Sequence, residues 1–134
     1  MPLTYRVLEE QKLVYAVGTG DVTFDDLMGH LEELAADPRY QPPMLKLVDY
    51  RNSRMVPLDD REFGLFSARK TQSEAAFQGE RCAVVSVHDL DFGMSRMLGA
   101  RIDTEKVETG SFRNIADALA WLGVEIDEDD LKNG

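Results

Sequence analysis

Strands that alternate with helices along 134 residues predict an α/β fold on a mixed, mostly parallel sheet, opened by an antiparallel hairpin and carrying about four helices. Three observations point there. Two runs rich in β-formers near the start are separated only by a short polar link. Two later runs, Met44 to Val48 and Arg81 to Val87, are apolar at nearly every position, as strands buried on both faces are. Between and after them lie segments with apolar residues at helical spacing. The length suits one domain, spanning 1–124 with an acidic C-terminal tail at 125–134.

The first run is Thr4 to Leu8, and Leu13 to Val17 follows the polar Glu9, Glu10 and Gln11, which reads as a hairpin ended by Gly18 and Gly20. Thr23 or Asp21 then caps a helix with Phe24, Leu27, Met28, Leu31, Leu34 and Ala35 inward and acids opposite, stopped at Asp37-Pro38. His30 stands at the margin of its apolar face. Asp49 closes the strand Met44 to Val48, and Tyr50 to Pro57 reads as a polar turn with a brief extended piece at Met55 and Val56. Leu58-Asp59-Asp60 opens a second helix with Phe63 and Phe66 inward. After Arg81 to Val87, the turn His88-Asp89-Leu90-Asp91 leads into a third helix in which Gly93 and Gly99 serve close packing. Lys106, Val107 and Glu108 read as a last short strand, and Ser111 as the cap of a fourth helix with Ile115, Ala118, Leu119 and Leu122 inward.

Composition narrows the function. The formal net charge of -10 repels phosphate backbones and anionic headgroups, so nucleic acid is not an expected partner. The stretch from Glu125 concentrates acids and reads as a solubilising, frayed end. Cys82 is the only cysteine, which excludes an internal disulfide and a multi-cysteine zinc site, and the apolar run after it marks it as a small core residue. No apolar run reaches the length of a signal or of a transmembrane segment, so a cytoplasmic address is expected.

The local sequences GDVTFDDL, DPRYQPPMLKLVDYR, RCAVVSV with DLDFGMSRML, and FRNIADALAWLGV resemble the SpoIIAA-like family of small bacterial proteins within the STAS fold. The similarity runs from about Tyr5 to Val124. It implies a STAS-like sheet and a non-enzymatic binding or regulatory module, holding a small-molecule or lipid ligand, a protein partner or a second copy. Anti-sigma antagonists of that fold present a phosphorylatable serine two residues after an aspartate that ends the third strand. Here Tyr50 and Arg51 follow Asp49, and the first serine is Ser53, so a phospho-switch would have to use a displaced residue.

Catalytic motifs do not assemble. Gly18-Thr19-Gly20 lacks the third glycine of a dinucleotide loop, Asp91-Phe92-Gly93 matches a kinase tripeptide by letters only, and no nucleophile elbow is present. No cofactor and no metal are expected, because caps account for Asp89 and Asp91 near His88. A ligand site is expected at the carboxyl ends of the central strands, where crossovers diverge to opposite faces, using Asp49, Tyr50, Arg51, Ser53, His88 and Asp89. The same ends, with Asp49, Arg51 and His88, are where an enzyme of unassigned reaction would act. A second expectation is an apolar pocket for an acyl chain lined by Phe63, Phe66, Phe92, Met94 and Met97, or a dimer surface at Met97 and Leu98.

Overall fold

The computed structural model describes residues 2–72, 79–102 and 108–133. Strands β1 (Leu3–Leu8) and β2 (Leu13–Val22) form the antiparallel hairpin. Helix α1 (Phe24–Ala36), strand β3 (Leu45–Met55), helix α2 (Asp60–Gln72), strand β4 (Arg81–Val85), helix α3 (Asp89–Ile102) and strand β5 (Glu108–Phe112) follow. Helices α4 (Ile115–Leu122) and α5 (Glu128–Asn133) close the described chain.

The strands lie in the order β1-β2-β3-β4-β5, and every pair after the hairpin is parallel. Each crossover therefore steps the same way, and with the usual right-handed sense lays its helix on the same face. The packing follows: Leu27 and Leu31 of α1, Phe63 and Phe66 of α2, and Met94 and Leu98 of α3 share one core with Val48, Tyr50, Cys82 and Val84. The other face packs α4 and α5 through Ile115, Leu119, Leu122 and Leu131 onto Leu13, Tyr15, Leu47 and Val85. Because the strand order never reverses, the diverging crossovers expected from the sequence do not occur, and no switch-point crevice arises that way.

Several boundaries depart from the sequence reading. Strand β2 runs on through Gly18 and Gly20, and β3 through the stretch read as a turn, because Thr19 to Val22 pair with Asn52 to Met55. Between Val17 and Thr19 the register shifts, with Asp49 and Asn52 as their partners, so β3 carries one extra residue, a bulge at Tyr50 and Arg51. Gly18 permits it: a Cβ there would stand 2.7 Å from Ser53 Oγ and 2.8 Å from the Tyr50 ring. Val87 falls beyond β4 and is exposed rather than core. Glu108 opens β5, whereas Lys106 and Val107 lie outside the described residues. Ser111 belongs to β5, and Asn114 caps α4 instead, its Oδ1 accepting from Asp117 N at 2.9 Å. Thr23 caps α1 in a reciprocal capping box with Asp26. Gly99 packs against Thr109, whose Cβ would stand 3.2 Å from a Cβ added to the glycine, but Gly93 faces open space.

The acidic end is not frayed. It forms α5, whose Leu131 is fully buried against the second core. Arg6 Nη1 donates to Leu131 O at 2.7 Å, and Arg51 pairs with Glu128. Leu131→Ala should therefore lower unfolding stability by about 2–4 kcal/mol, read as a shift of the urea midpoint at unchanged slope. A neutral outcome would mean that α5 does not hold its place in solution.

Candidate functional site

The six residues expected at the strand ends are divided by the sheet. Asp49 and Arg51 face α4 and α5. There Arg51 grips Asp49 through two parallel bonds, Nε to Oδ1 at 3.0 Å and Nη2 to Oδ2 at 2.9 Å, and also pairs with Glu128. Tyr15 Oη donates to Asp49 Oδ2 at 2.7 Å. Burial opposes ionisation of Asp49, but the bonds from Arg51 and Tyr15 outweigh it and hold the carboxyl below its ordinary range. Tyr50 and Ser53 are buried on the opposite side, next to Gly18. His88 and Asp89 sit at the surface end of β4, where Asp89 is ion-paired with Arg113 at 2.9 Å.

The apolar candidates divide as well. Phe63, Phe66 and Met94 are core. Phe92 is only half-buried and carries the Arg113 guanidinium 4.0 Å above its ring. Met97 is exposed at 53%, whereas Leu98 is buried, so the two cannot share one dimer surface as side chains of equal standing.

A cavity of about 60 Å³ lies between the sheet and the layer of α1, α2 and α3. Leu27, Leu31, Val48, Val84 and Leu98 supply its apolar wall, and of the five aromatic and methionine candidates only Phe66 reaches it. Its polar lining consists of His30, Lys46, Tyr50, Lys70, Cys82, Ser95 and Thr109. Lys46 projects there because alternation along β3 sends Lys46, Val48 and Tyr50 to this face and Leu47 and Asp49 to the other. His30 arrives from the buried face of α1 with Leu27, Leu31 and Leu34.

Charge is unevenly matched around this cavity. Glu80, 1% exposed, accepts from Lys70 Nζ and, at 2.6 Å, from Tyr40 Oη. Lys46 is 4% exposed and has no hydrogen bond or ion pair among the described residues. Both ring nitrogens of His30 are likewise buried without a hydrogen-bond partner among the described residues. Burial, and then repulsion from Lys70, pushes Lys46 down to about 8 despite the attraction of Glu80. Burial, and then Lys46 and Lys70, push His30 down to about 2, so it is the neutral imidazole at every ordinary pH. Glu80 is held below its ordinary range: burial opposes its ionisation, and Lys70 and Lys46 override that.

A native imidazole that resists protonation has a pH signature. The unfolded chain takes up a proton below about 6.5 and the native state does not, so stability falls as pH drops through that value. Between pH 6.5 and 5 the loss attributable to His30 should be about 2 kcal/mol. Denaturant titrations of the wild type and His30→Gln at both pH values check it: the variant should show that much less acid sensitivity. Equal slopes against pH would mean that His30 is protonated in the native state.

The sequence did contain a signal for this site. Lys46 interrupts an otherwise apolar strand, Met44-Leu45-Lys46-Leu47-Val48, whose neighbours on both sides are other strands. A charged residue in the middle of a doubly covered strand has no route to water, unlike one near a strand end. Lys70 and Glu80 gave no comparable sign, because their pairing depends on how α2 returns to β4.

Comparison with known proteins bears on the fold. No family model matches the chain, and no curated protein matches it. Among solved structures, an uncharacterised protein of the DUF3478 family with a SpoIIAA-like fold, from Shewanella loihica PV-4, superposes with a TM-score of 0.57. The match covers 90% of this chain and 93% of that one at 22% identity. The fold is thus SpoIIAA-like, a mixed five-stranded sheet with helices on both faces. No helix among the described residues is long and apolar enough to cross a membrane.

Proposed function

We propose that this chain is a small-molecule binding module whose site is the cavity under α1, α2 and α3. The observation that carries the reading is an imidazole, His30, whose two ring nitrogens are buried with no hydrogen-bond partner among the described residues, on the same cavity wall as Lys46, which is 4% exposed and makes no hydrogen bond or ion pair with them. Buried polar groups are almost always satisfied, and groups left unsatisfied at a cavity mark a place where something else supplies the bonds. The strand-end set supports an enzymatic reading less well, because Asp49 and Arg51 satisfy each other and Arg51 is also held by Glu128.

The cavity is far below the roughly 300–1,000 Å³ of sites that hold drug-sized ligands, so a ligand of a few heavy atoms fits this reading and an acyl chain does not. Native mass spectrometry of purified protein and a thermal-shift panel of small metabolites test it. A ligand present at about 100 times its Kd should add about 2.7 kcal/mol of stability. A bare polypeptide mass together with a flat panel would sink the proposal.

A further inference from the structure

The structure assigns the ligand of this cavity to the class of small organic monocarboxylates, an inference that rests on the cavity being the binding site. Among the described residues, Glu80 is engaged by Lys70 and Tyr40, and Asp91 accepts from Met55 N and acts on Tyr50. Lys46, on the cavity wall, has no hydrogen bond or ion pair with any of them. An unpaired charge away from water is among the most costly features a core can contain, and an anion beside Lys46 removes the cost by pairing with it.

The rest of the wall decides between kinds of anion. Leu27, Leu31, Val48, Val84 and Leu98 present hydrocarbon over most of the surface. A fully hydrated inorganic anion finds too few donors there, whereas a short alkyl carboxylate puts its apolar part against these side chains and its head at Lys46. The neutral His30, with one N–H donor and one acceptor, and the hydroxyls of Tyr50 and Ser95 are further polar groups on the wall. One ammonium, Lys46, without an ion-pair partner among the described residues also favours a monoanion over a dianion, whose second charge has no such counterpart there.

The chemistry predicts a proton linkage. The groups that face Lys46 are His30 from α1, Tyr50 from β3, Lys70 from α2, and Cys82 from β4 with Glu80 just before it; Asp91 of α3 acts on Tyr50. Lys46 loses its proton above about pH 8 in the unliganded protein, and a carboxylate at its side restores the proton. Affinity should therefore fall about tenfold per pH unit above pH 8, with proton uptake on binding.

Isothermal titration provides the test, with acetate, propionate and butyrate set against the amide of each, at pH 7 and at pH 9 in two buffers of different ionisation enthalpy. The expected result is that at least one carboxylate binds, tenfold or more tighter than its amide, with proton uptake at pH 9. Lys46→Met and, as a second variant that keeps a polar side chain, Lys46→Gln should each lose that preference. If the amides bind as well as the acids, or if both variants keep the preference for acids, the anion assignment is overturned while the cavity remains a binding site. If neither series binds and the crystal structure of a soaked sample shows an unchanged cavity, the binding reading falls with it.

Discussion

Glu80→Gln should cost about 3–5 kcal/mol, among the larger losses available to a single substitution in this chain. The substitution keeps the shape of the side chain and removes its charge. Glu80 stands between Lys70, which donates to Oε1, and Tyr40, which donates to Oε2, with almost no access to water. Breaking a buried pair by neutralising one partner removes the attraction that offsets the desolvation of the other charge. Here the loss is compounded, because Glu80 also attracts Lys46, so two ammoniums would share one apolar region. At about 4 °C per kcal/mol, a scaling suited to a chain of this size, differential scanning calorimetry should show the melting transition about 12–20 °C lower. A shift of less than about 4 °C would show that water or another group reaches Lys70. Glu80 also gives a pH dependence. Its carboxyl is held below the unfolded value, so its contribution is present above about pH 4.3 and is lost as pH falls through the native value.

Lys46→Met should do the reverse and raise stability by about 2–3 kcal/mol while destroying the ligand site. The native state holds Lys46 near 8, against about 10.4 in the unfolded chain, so at neutral pH the buried ammonium opposes folding by about 3 kcal/mol. Methionine has a similar unbranched stem, keeps the volume filled and carries no charge. The sign can be checked by raising pH: stability of the wild type should increase between about pH 8 and 10.4 as the native lysine gives up its proton first, and the variant should lack that rise. Chemical denaturation across this range measures both. If Lys46→Met is destabilising at pH 7, the ammonium has a partner in solution and the cavity is not short of an anion. In the double variant with Glu80→Gln, the loss should be smaller than the sum of the two single effects predicts, because removing Lys46 relieves one of the two uncompensated charges. A residue retained at a cost to folding is a familiar mark of a binding site.

The order of elements is well legible in the sequence and their lengths are not. Helix α1 is legible because Leu27, Leu31 and Leu34 recur at its period and Thr23 with Asp26 caps it. Strand β3 is legible only to Asp49. Beyond that point Tyr50, Arg51, Asn52, Ser53 and Arg54 look like a turn, and they are a strand because β2 runs alongside and a bulge absorbs the mismatch. A pairing partner is long-range information that no local propensity holds. The tail misleads for the same reason: its acids suggest a solvated end, while the one apolar residue that matters, Leu131, reaches a core built by β1, β2 and α4. For the site, Tyr50 is visible from its place at a strand end, whereas Lys46, the real anomaly, belongs to no motif. Patterning shows that a charge is out of place, but it does not show whether the fold gives that charge a partner.

Strand β3 has one more consequence, for how the gene can change length. Its side chains are dealt alternately to two interiors that could hardly differ more, one with Lys46 and a cavity, the other with Leu47 and a closed acid–guanidinium clamp. Inserting or deleting a single codon just before Lys46 would trade the two sets, driving an ammonium into the leucine cluster and a leucine into the cavity wall. Point substitutions along β3 can be absorbed one at a time; a frame-preserving indel there alters every position at once. A deletion scan should therefore find β3 among the least tolerant stretches, and the polar link at Glu9 to Gln11, which serves neither interior, much more permissive.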